Sequence, residues 1–313
     1  MKERQNARVT QKSLAISLAV CYNDVRRRGN MEKQVTENAY AKINWYLAVG
    51  EKRADGYHDI LSLMQTVSLA DTVIVSLDET PGIRLSCTGH FSIPTDRHNL
   101  AWIAAERYFA RIGRSPSVTI RIEKKIPVAG GLAGGSADAA AVLRAINRLF
   151  DNVLPQKELL RVAAEVGSDV PFCVVGGLAV ARGRGEFLTP LDFSPQYHLV
   201  IINEGEAVST AKAYADLDGR DGAPALGECD ELLSFLRAGR MPSDHRMLRN
   251  DFADTVLPQC PKATKALLRL GELGGVAQMS GSGSTVFAVF QSESEARIAA
   301  ATITGNALYA TTL

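Results

Sequence analysis

The sequence predicts a protein of the α/β (α+β) class in which two domains each combine a β-sheet with α-helices. The chain has 313 residues, of which 46% are hydrophobic and 22% charged, so it is long enough for two compact domains. From Thr36 onward the pattern is rich in strands, and a further strand near His198 opens a second series of strands and helices. We therefore expect an amino-terminal domain over residues 36–195 and a carboxy-terminal domain over residues 196–313.

Hydrophobic runs and turn dipeptides predict a β-rich opening to the first domain. The Asp55-Gly56 and Pro81-Gly82 pairs separate apolar runs of strand length. Downstream, apolar residues at helical spacing predict amphipathic helices. The expected strands cover 39–49, 61–69, 71–77, 83–87 and 118–123, the expected helices cover 99–112, 136–150 and 155–166, and an apolar segment lies at 178–181.

The second domain is predicted to mix helices with fewer strands. A loop rich in Asp, Gly and Pro between residues 218 and 227 is expected to be a surface connection. The two halves show no evident internal repeat, so neither is a duplicate of the other. The expected strands cover 198–203, 276–279 and 285–290, and the expected helices cover 209–217, 228–238, 261–273 and 293–303.

Charge and cysteine usage exclude several classes of function. The net charge is +1, and beyond residue 30 the chain has 28 basic against 32 acidic side chains, which argues against a nucleic-acid partner. The five cysteines are scattered without metal-binding spacing, as is typical of reduced thiols in a cytoplasmic protein. No apolar run approaches the roughly 20 residues that span a bilayer. We expect a cytoplasmic protein, monomeric or weakly dimeric, with no membrane partner and no metal site built from side chains.

Residues 1–35 are expected to form a flexible amino-terminal extension. Basic residues precede a short apolar run at 14–20, which superficially resembles a signal sequence. Ser17 interrupts that run and three consecutive arginines at 26–28 follow it, so we reject the signal interpretation. Met31 stands just before the first strand pattern, and the folded part is expected to begin near it.

The most informative segment is a glycine-rich loop followed by an alanine-rich amphipathic helix. Glycines at 130, 131, 134 and 135 let backbone N–H groups approach an anion, and a helix starting near Ser136 directs its positive dipole end at the same place. The segment predicts a phosphate cradle, although a purely structural turn has the same pattern. The chain contains no Gly-Lys dipeptide and no G-x-G-x-x-G, which excludes a Walker loop and a dinucleotide fold. Protein-kinase signatures and the G-x-S-x-G elbow of hydrolases are also missing from the sequence.

Four separated blocks resemble the GHMP kinases, a superfamily of small-molecule kinases, and the resemblance spans roughly residues 36–313. The first block pairs Ala41-Lys42-Ile43-Asn44 with Asp55-Gly56-Tyr57-His58-Asp59. This block narrows the resemblance to the branch that phosphorylates a diphosphocytidyl polyol, because the homoserine and mevalonate relatives share the glycine loops without it. The other blocks are Ile126 to Ala140, Gly167 to Phe172 with Gly183-Arg184-Gly185-Glu186, and Met279 to Ser284.

The resemblance implies both a fold and a reaction. The fold is a ribosomal-protein-S5-like mixed-sheet domain followed by an α+β sandwich domain, with ATP and substrate meeting in the cleft. ATP, accompanied by Mg²⁺, would donate its γ-phosphate to the tertiary 2-hydroxyl of 4-diphosphocytidyl-2-C-methyl-D-erythritol. Two alternatives remain open: a GHMP kinase for another small alcohol, of the homoserine or mevalonate type, and a non-catalytic nucleotide-binding sensor.

Lys42 and Asp169 are the candidate catalytic residues. A hydroxyl is a poor nucleophile near neutral pH, so a carboxylate that accepts its proton and an ammonium that stabilises phosphoryl oxygens form a sufficient site. A simple ion pair between two elements is the alternative interpretation. The position of Asp169 before Val-Pro-Phe favours the catalytic interpretation, because an unpaired carboxylate in apolar surroundings is costly.

The resemblance also implies binding residues for substrate and for ATP. Tyr57 would stack on cytosine and His58 would hydrogen-bond the base. Tyr214, four residues after Thr210, aligns with a second aromatic that would complete a sandwich, whereas packing within the scaffold is the alternative for both tyrosines. Further expected contacts are Asn44 with the polyol or diphosphate, Thr210 with the substrate, Asn99 with adenine, and, for ATP, the loop residues Pro127, Val128, Ala129, Gly130, Gly131, Leu132, Ala133, Gly134, Gly135, Ser136 and Ala137.

Two residues depart from the usual phosphate loop of the family. Ala133 replaces a glycine and Ala137 replaces a serine. We therefore expect Ala133 to adopt an ordinary negative φ, and Ser136 to supply the loop's hydroxyl contact to a metal or phosphate. The loop Ser280 to Ser284 is expected to lie as a hairpin against the phosphate loop and not to form an independent phosphate site, and a plain turn is the alternative.

Overall fold

The computed structural model describes residues 34–219, 225–303 and 306–313. The strands are β1 Gln34–Lys52, β2 His58–Leu77, β3 Gly82–Gly89, β4 Ser117–Lys124, β5 Leu178–Arg182, β6 Phe187–Pro190, β7 His198–Ile202, β8 Val276–Met279, β9 Val286–Phe290 and β10 Ala307–Thr311. The helices are α1 Leu100–Arg111, α2 Gly134–Leu149, α3 Gln156–Val166, α4 Val170–Val175, α5 Thr210–Asp218, α6 Asp230–Arg237, α7 Ala253–Val256, α8 Pro261–Glu272 and α9 Glu293–Thr302, with 3₁₀ turns at His245–Met247 and Leu257–Gln259.

The first sheet is mixed, with the strand order β3-β4-β2-β5-β6 and with β1 paired to β2. β3 and β4 run parallel, and the other neighbours run antiparallel. The hairpin of β1 and β2 organises this sheet because its strands are 19 and 20 residues long and β2 pairs along its length with β1, β4 and β5. This mixed sheet, covered by helices, confirms the predicted fold class.

Helix α2 lies at the centre of the amino-terminal part. It packs against β1 and β2 and also against α1, α3 and α4. The sequence predicts one apolar face, but nearly every side chain from Ala137 to Leu149 is buried, Asp138 and Asn147 included. Alanines allow this because a small side chain lets neighbouring elements approach the helix from several directions. The phosphate loop that precedes α2 is therefore joined to a helix that is buried on almost all sides.

The second sheet is antiparallel, with the order β10-β7-β9-β8, and helices α8 and α9 pack against it. Trp45 of β1 meets Tyr197 and Phe287 edge to face, with ring centroids 5.6 and 5.9 Å apart. These rings belong to one hydrophobic cluster that runs from the first sheet into the second, while a smaller cluster fills the carboxy-terminal part. The two sides of the cleft thus share a core.

The carboxy-terminal strand ties the two sheets together. β10 pairs with β7, and the chain then continues to β2, where the Leu313 N–H donates to the carbonyl of Thr66 at 3.0 Å. The Gln65 side chain donates to the Leu313 carbonyl at 2.7 Å. The last residues therefore contact the amino-terminal sheet, although they follow the second sheet in the chain.

Most predicted elements are confirmed, with three differences. β2 is continuous across the predicted break between 69 and 71, because Asp71 at that point is buried and paired with Lys124. α4, α7, β6 and β10 were not predicted, since elements of four to six residues are too short to show a period. β1 begins at Gln34, and Val35 is buried, so the predicted extension is wrong for these two residues. Residues 1–33, and residues 220–224 of the predicted surface loop, lie outside the described part of the chain.

Two further observations concern membrane-spanning helices and cysteines. In the described part of the chain, no helix is long and apolar enough to cross a membrane. The described cysteines, Cys87, Cys173, Cys229 and Cys260, are free.

Candidate active site

A cleft of about 950 Å³ lies between the two halves of the molecule. All four sequence blocks contribute to its lining: the ends of β1 and β2, the phosphate loop, the turn before α4, and the loop between β8 and β9. Every predicted site residue lines this cleft except Ala137, which is buried inside α2. The structure therefore brings together residues that are up to 172 positions apart, from Lys42 to Tyr214.

The phosphate loop turns into α2 at Ala133, and its conformation corrects one expectation. Ala133 has φ +56°, in the left-handed region, so the predicted negative φ is wrong. A left-handed alanine costs roughly 1–2 kcal/mol relative to its ordinary conformation. The neighbouring structure enforces it, because the Leu132 side chain is buried and the Leu132 carbonyl accepts a hydrogen bond from Lys42 N at 3.1 Å.

The loop between β8 and β9 packs against the phosphate loop, as predicted. Ser280 Oγ donates to the Gly131 carbonyl at 3.1 Å, and Thr285 N donates to the Gly130 carbonyl at 3.2 Å. Gly131 has φ +79°, and a Cβ there would collide with the Ser280 carbonyl. A Cβ on Gly130 would collide with Thr285 and Asn203. Contacts within the protein therefore require glycine at both positions, which accounts for part of the glycine pattern.

The first turn of α2 is the part of the loop that suits a phosphate. Gly135 is exposed in the cleft, and a Cβ there would have only the Leu100 side chain near it, at 3.7 Å. Ala133, at the N-cap, has a methyl side chain that cannot accept from the first N–H groups of the helix. Those N–H groups and the positive dipole end fit an anion. Ser136 lines the cleft beside them.

The Lys42 side chain is the first member of a chain of hydrogen bonds. The Lys42 side chain is only 5% exposed, and its ammonium donates to Asn44 Oδ1 at 2.7 Å. Asn44 Nδ2 donates to Ser62 Oγ at 2.7 Å, and Ser62 in turn donates to the Tyr46 carbonyl at 2.8 Å. Asn44 thus orients Lys42 with one end of its amide, and its predicted contact with substrate stays a prediction. Ser62, on the neighbouring strand β2, is a supporting residue that sequence reasoning missed.

Asp169 stands opposite Lys42 across the cleft. Its carboxylate lies 3.9 Å from Lys42 Nζ and its side chain is 34% exposed. Asp169 occupies the N-cap position of α4, yet within the described residues its side chain forms no capping hydrogen bond. The main chain is held in place because the Asp169 carbonyl accepts from Cys173 N at 3.1 Å. A fixed, solvent-reached carboxylate beside an ammonium is the arrangement that proton transfer from a hydroxyl requires.

A third group of residues, most of them aromatic, surrounds the end of the cleft opposite the phosphate loop. The Tyr57 ring is 52% exposed and carries the Arg184 guanidinium 4.7 Å from its centroid. His58 is buried and stacks on Tyr214, with ring centroids 4.9 Å apart and planes at 16°. Phe252 meets Tyr214 edge to face at 4.9 Å. One face of Tyr214 is therefore taken by His58, so a base between Tyr57 and Tyr214 would need the remaining face or a shift of His58.

Two other predicted contacts have roles within the protein. Asn99 caps α1, because its Oδ1 accepts from Ala101 N at 2.8 Å while its Nδ2 donates to the Pro94 carbonyl at 2.7 Å. Thr210 Oγ1 lies 2.9 Å from Ser282 Oγ, which joins α5 to the loop against the phosphate loop. Both residues line the cleft, and their contacts with ligands stay predictions.

A buried charge cluster below the first turn of α2 was missed by sequence reasoning. Lys124 Nζ is paired with Asp71 and, at 2.9 Å, with Asp138. Asp71 Oδ1 also accepts from Ile126 N at 2.8 Å, which fixes the start of the loop. Within the described residues Asp138 Oδ1 has no hydrogen-bond partner, and burial raises the pKa of this carboxyl to about 7 against the opposing effect of Lys124. The only signal in the sequence that could have suggested this cluster is the opposite charge of three residues that lie apart along the chain.

The chain is similar to known kinases in sequence and in structure. Two family models match: GHMP kinases N terminal domain over residues 99–177 and GHMP kinases C terminal over residues 232–309. A protein of Mycolicibacterium gilvum named 4-diphosphocytidyl-2-C-methyl-D-erythritol kinase is 41% identical over 260 residues, which are 80% of each chain. A protein of the same name from Mycobacterium tuberculosis is 40% identical over 277 residues, which are 87% of this chain and 86% of that protein.

Solved structures agree with these matches. A crystal structure of 4-(cytidine 5'-diphospho)-2C-methyl-D-erythritol kinase is 33% identical with a TM-score of 0.76 and covers 89% of this chain and 99% of its own. A homoserine kinase from Cytophaga hutchinsonii, at 22% identity and a TM-score of 0.66 over 91% and 96% of the two chains, shows the shared fold alone. The chain belongs to the GHMP kinase family. It is an ATP-dependent small-molecule kinase, which removes the sensor alternative.

Proposed function

We propose that this kinase transfers the γ-phosphate of ATP to the tertiary 2-hydroxyl of 4-diphosphocytidyl-2-C-methyl-D-erythritol. One observation carries the proposal: the Lys42–Asp169 pair, 3.9 Å apart, lies in the same cleft as the first turn of α2 and the aromatic group around His58. The names of the relatives that are about 40% identical over most of the chain support the same substrate.

Asp169 and Lys42 divide the chemistry between them. Asp169 accepts the proton of the attacking hydroxyl, whose oxygen forms the new bond to the γ-phosphorus as the bond to the β-phosphate oxygen breaks and ADP leaves. Lys42 stabilises the negative charge that develops on the alkoxide and on the phosphoryl oxygens. Asn44 holds the ammonium in place through its 2.7 Å hydrogen bond, so the charge needs no reorganisation during the reaction.

The first turn of α2 holds the phosphates of ATP in this proposal. The N–H groups after Ala133 and the open space at Gly135 fit a phosphate group that approaches the backbone closely. Mg²⁺ would arrive with ATP, neutralise charge on its phosphates and take a ligand from the Ser136 hydroxyl, since Mg²⁺ usually binds phosphates plus few protein oxygens. Asn99 would approach adenine from the start of α1.

The base would bind at the aromatic end of the cleft. Tyr57 offers an exposed ring for stacking, and His58 lies beside it, with its ring already held by Tyr214. Asn44 and Thr210 also line the cleft and would contact the rest of the substrate. The finer statements about the molecule remain part of the proposal: domains over 36–195 and 196–313, a cytoplasmic location, a monomeric or weakly dimeric state, and no nucleic-acid partner.

A panel assay tests the substrate. ADP release is measured with 4-diphosphocytidyl-2-C-methyl-D-erythritol, homoserine and mevalonate at equal concentrations, and turnover is expected with the first compound alone. CDP should raise the melting temperature in the presence of a saturating non-hydrolysable ATP analogue, because it then reports on the substrate side. Turnover of homoserine or mevalonate in preference to the diphosphocytidyl compound would overturn the proposal and assign the cleft to another GHMP reaction.

A further inference from the structure

His58 is held from two directions at the rim of the cleft. Its ring stacks on Tyr214, and its Nε2 lies 2.7 Å from Asp218 Oδ1. Tyr214 and Asp218 are one turn apart on α5, so a single helix holds both the face and the edge of the imidazole. Asp218 is in turn held by Lys52, whose Nζ donates to Asp218 Oδ2 at 2.6 Å. Lys52 is the register partner of His58 across β1 and β2.

This arrangement determines which ring nitrogen of His58 carries hydrogen. Hydrogen bonds from Lys52 and His58 lower the pKa of Asp218, so its carboxylate is ionised and can only accept. The hydrogen of a neutral His58 must therefore be on Nε2, and Nδ1 is left as an acceptor. Among the described residues, Nδ1 has no hydrogen-bond partner, while His58 itself lines the cleft.

We propose that Asp218 is a positioning residue that holds His58 as its Nε2–H tautomer and thereby makes the site select cytosine over uracil, an inference that rests on the proposed function. Cytosine has an exocyclic amino group at position 4, which donates a hydrogen bond to Nδ1. Uracil has a carbonyl oxygen at the same position, so two acceptors would face each other. A site built to hydrogen-bond one group rejects an analogue that leaves its buried partner unsatisfied.

A merely structural role for Asp218 is the alternative to be separated. The same contacts also fasten the end of α5 to the β1–β2 hairpin, and an exposed ion pair of this kind contributes little stability. Loss of a fastening would alter the melting temperature and the affinity for every nucleotide alike. Loss of a fixed tautomer changes the preference between two bases, whereas loss of a purely structural contact leaves that preference unchanged.

The experiment compares binding of CDP and UDP by calorimetry, with the ATP side saturated by a non-hydrolysable analogue. The wild-type protein is expected to bind CDP about 10-fold more tightly than UDP, which corresponds to one hydrogen bond gained or lost. Asp218→Ala is expected to reduce this preference to below about threefold. Asp216→Ala is the matched control, because Asp216 lies on the same helix and bonds to Gln259 at 2.9 Å on the surface. It should keep the wild-type preference.

An NMR measurement gives a second readout that does not depend on affinity. Imidazole ¹⁵N shifts of labelled histidine, assigned with His58→Ala, should show His58 protonated on Nε2 in the wild type and a mixture of tautomers in Asp218→Ala. Asp218→Asn keeps the size of the side chain and should fall between the two, since a rotating amide accepts only part of the time. Melting temperatures confirm that each variant is folded.

The possible results separate this inference from the proposed function. An Asp218→Ala protein with unchanged base preference and an unchanged tautomer overturns the inference and leaves the proposed function standing. Equal binding of CDP and UDP by a wild-type protein that turns over the diphosphocytidyl substrate has the same consequence. A wild-type protein that fails to turn over that substrate overturns the proposed function and, with it, the inference.

Discussion

The two ends of the cleft are built in different ways. The phosphate end is made of backbone: left-handed residues at Gly131 and Ala133, the start of α2, and a second loop that packs against it. The base end is made of side chains, with His58 from the β1–β2 hairpin held by Tyr214 and Asp218 from α5, 160 positions away. A backbone site tolerates changes of side chain, whereas a side-chain site depends on the identity of each residue.

The alanines of the phosphate loop illustrate this difference. Ala133 adopts the left-handed conformation that a glycine would adopt, and Ala137 is buried inside α2. Neither replacement removes a backbone N–H group, so the phosphate end keeps its shape despite two departures from the family pattern. At the base end, no backbone group could take the place of the Tyr57 ring or of the His58 imidazole. Four predictions test this comparison, beginning with the residue where the two ends meet.

Asp169→Asn should have the largest effect. Removing the proton acceptor is expected to lower kcat by about 10²–10⁴, while the affinity for a non-hydrolysable ATP analogue changes by less than about threefold. Steady-state kinetics and calorimetry provide the two measurements. Asp192→Asn, an exposed aspartate whose side chain is paired with Arg237, is the control. A variant that retains more than half of the wild-type kcat would remove Asp169 from the mechanism.

Tyr57→Ala tests the base end. Loss of stacking should raise KM for the diphosphocytidyl substrate by roughly 10–100-fold, because stacking of a base on an aromatic ring contributes about 1–3 kcal/mol. KM for ATP should barely change, since the phosphate end does not use this ring. Tyr40→Ala, at a partly exposed tyrosine outside the cleft lining, serves as control. Equal increases in both KM values would show that Tyr57 supports the fold instead.

Gly131→Ala and Gly135→Ala test the phosphate end as a matched pair. At Gly131 the backbone has positive φ and a Cβ would collide with the Ser280 carbonyl, so ATP affinity and melting temperature should both fall. At Gly135 the backbone is helical and the neighbourhood is open, so the fold should persist while the methyl group obstructs a phosphate. We expect ATP affinity to fall about 10-fold in Gly135→Ala without a loss of melting temperature. Unchanged affinity in that variant would mean that the loop has a structural role alone.

Asp138→Asn should have the smallest effect on the reaction, and its effect on stability should depend on pH. Burial raises the folded-state pKa of Asp138 to about 7, above its ordinary value, so the folded protein binds this proton more tightly than the unfolded chain does. The free energy of unfolding then falls as the pH rises from about 4 to about 7. The variant does not lose stability in this way, so its stability relative to wild type should increase by about 2–3 kcal/mol between pH 5 and pH 8.

Urea denaturation of both proteins at the two pH values provides the measurement. Other groups that titrate in this range are common to the two proteins and cancel in the difference. A difference in stability that stays constant with pH would show that Asp138 is already ionised at pH 5 and is fully compensated by Lys124. Such a result would also mean that titration of the buried charge cluster does not explain any pH-dependent change in the phosphate loop above it.

Sequence reasoning predicted the phosphate end better than the base end. The glycines and the helix that follows are local features, and the structure confirms both the helix and the packing of the Ser280 loop. The conformation of Ala133 was predicted wrongly, because alanine alone prefers negative φ and the contact that overrides this preference comes from β1. Tyr57 and His58 were predicted as neighbours in sequence, but nothing in the sequence indicated that His58 pairs with Asp218.

By itself the sequence determined the fold class, most of the elements, the phosphate loop and the family, because hydrophobic period, glycine position and motif spacing are local properties of the chain. The tertiary structure brought together Lys42 and Asp169, which the resemblance had already paired, and it alone decided that His58 meets Asp218 and that Lys124 meets its two carboxylates. These partners are 14 to 160 positions apart. Their pairing depends on how sheets and helices pack, since a charge in a sequence carries no information about the distant charge that will neutralise it.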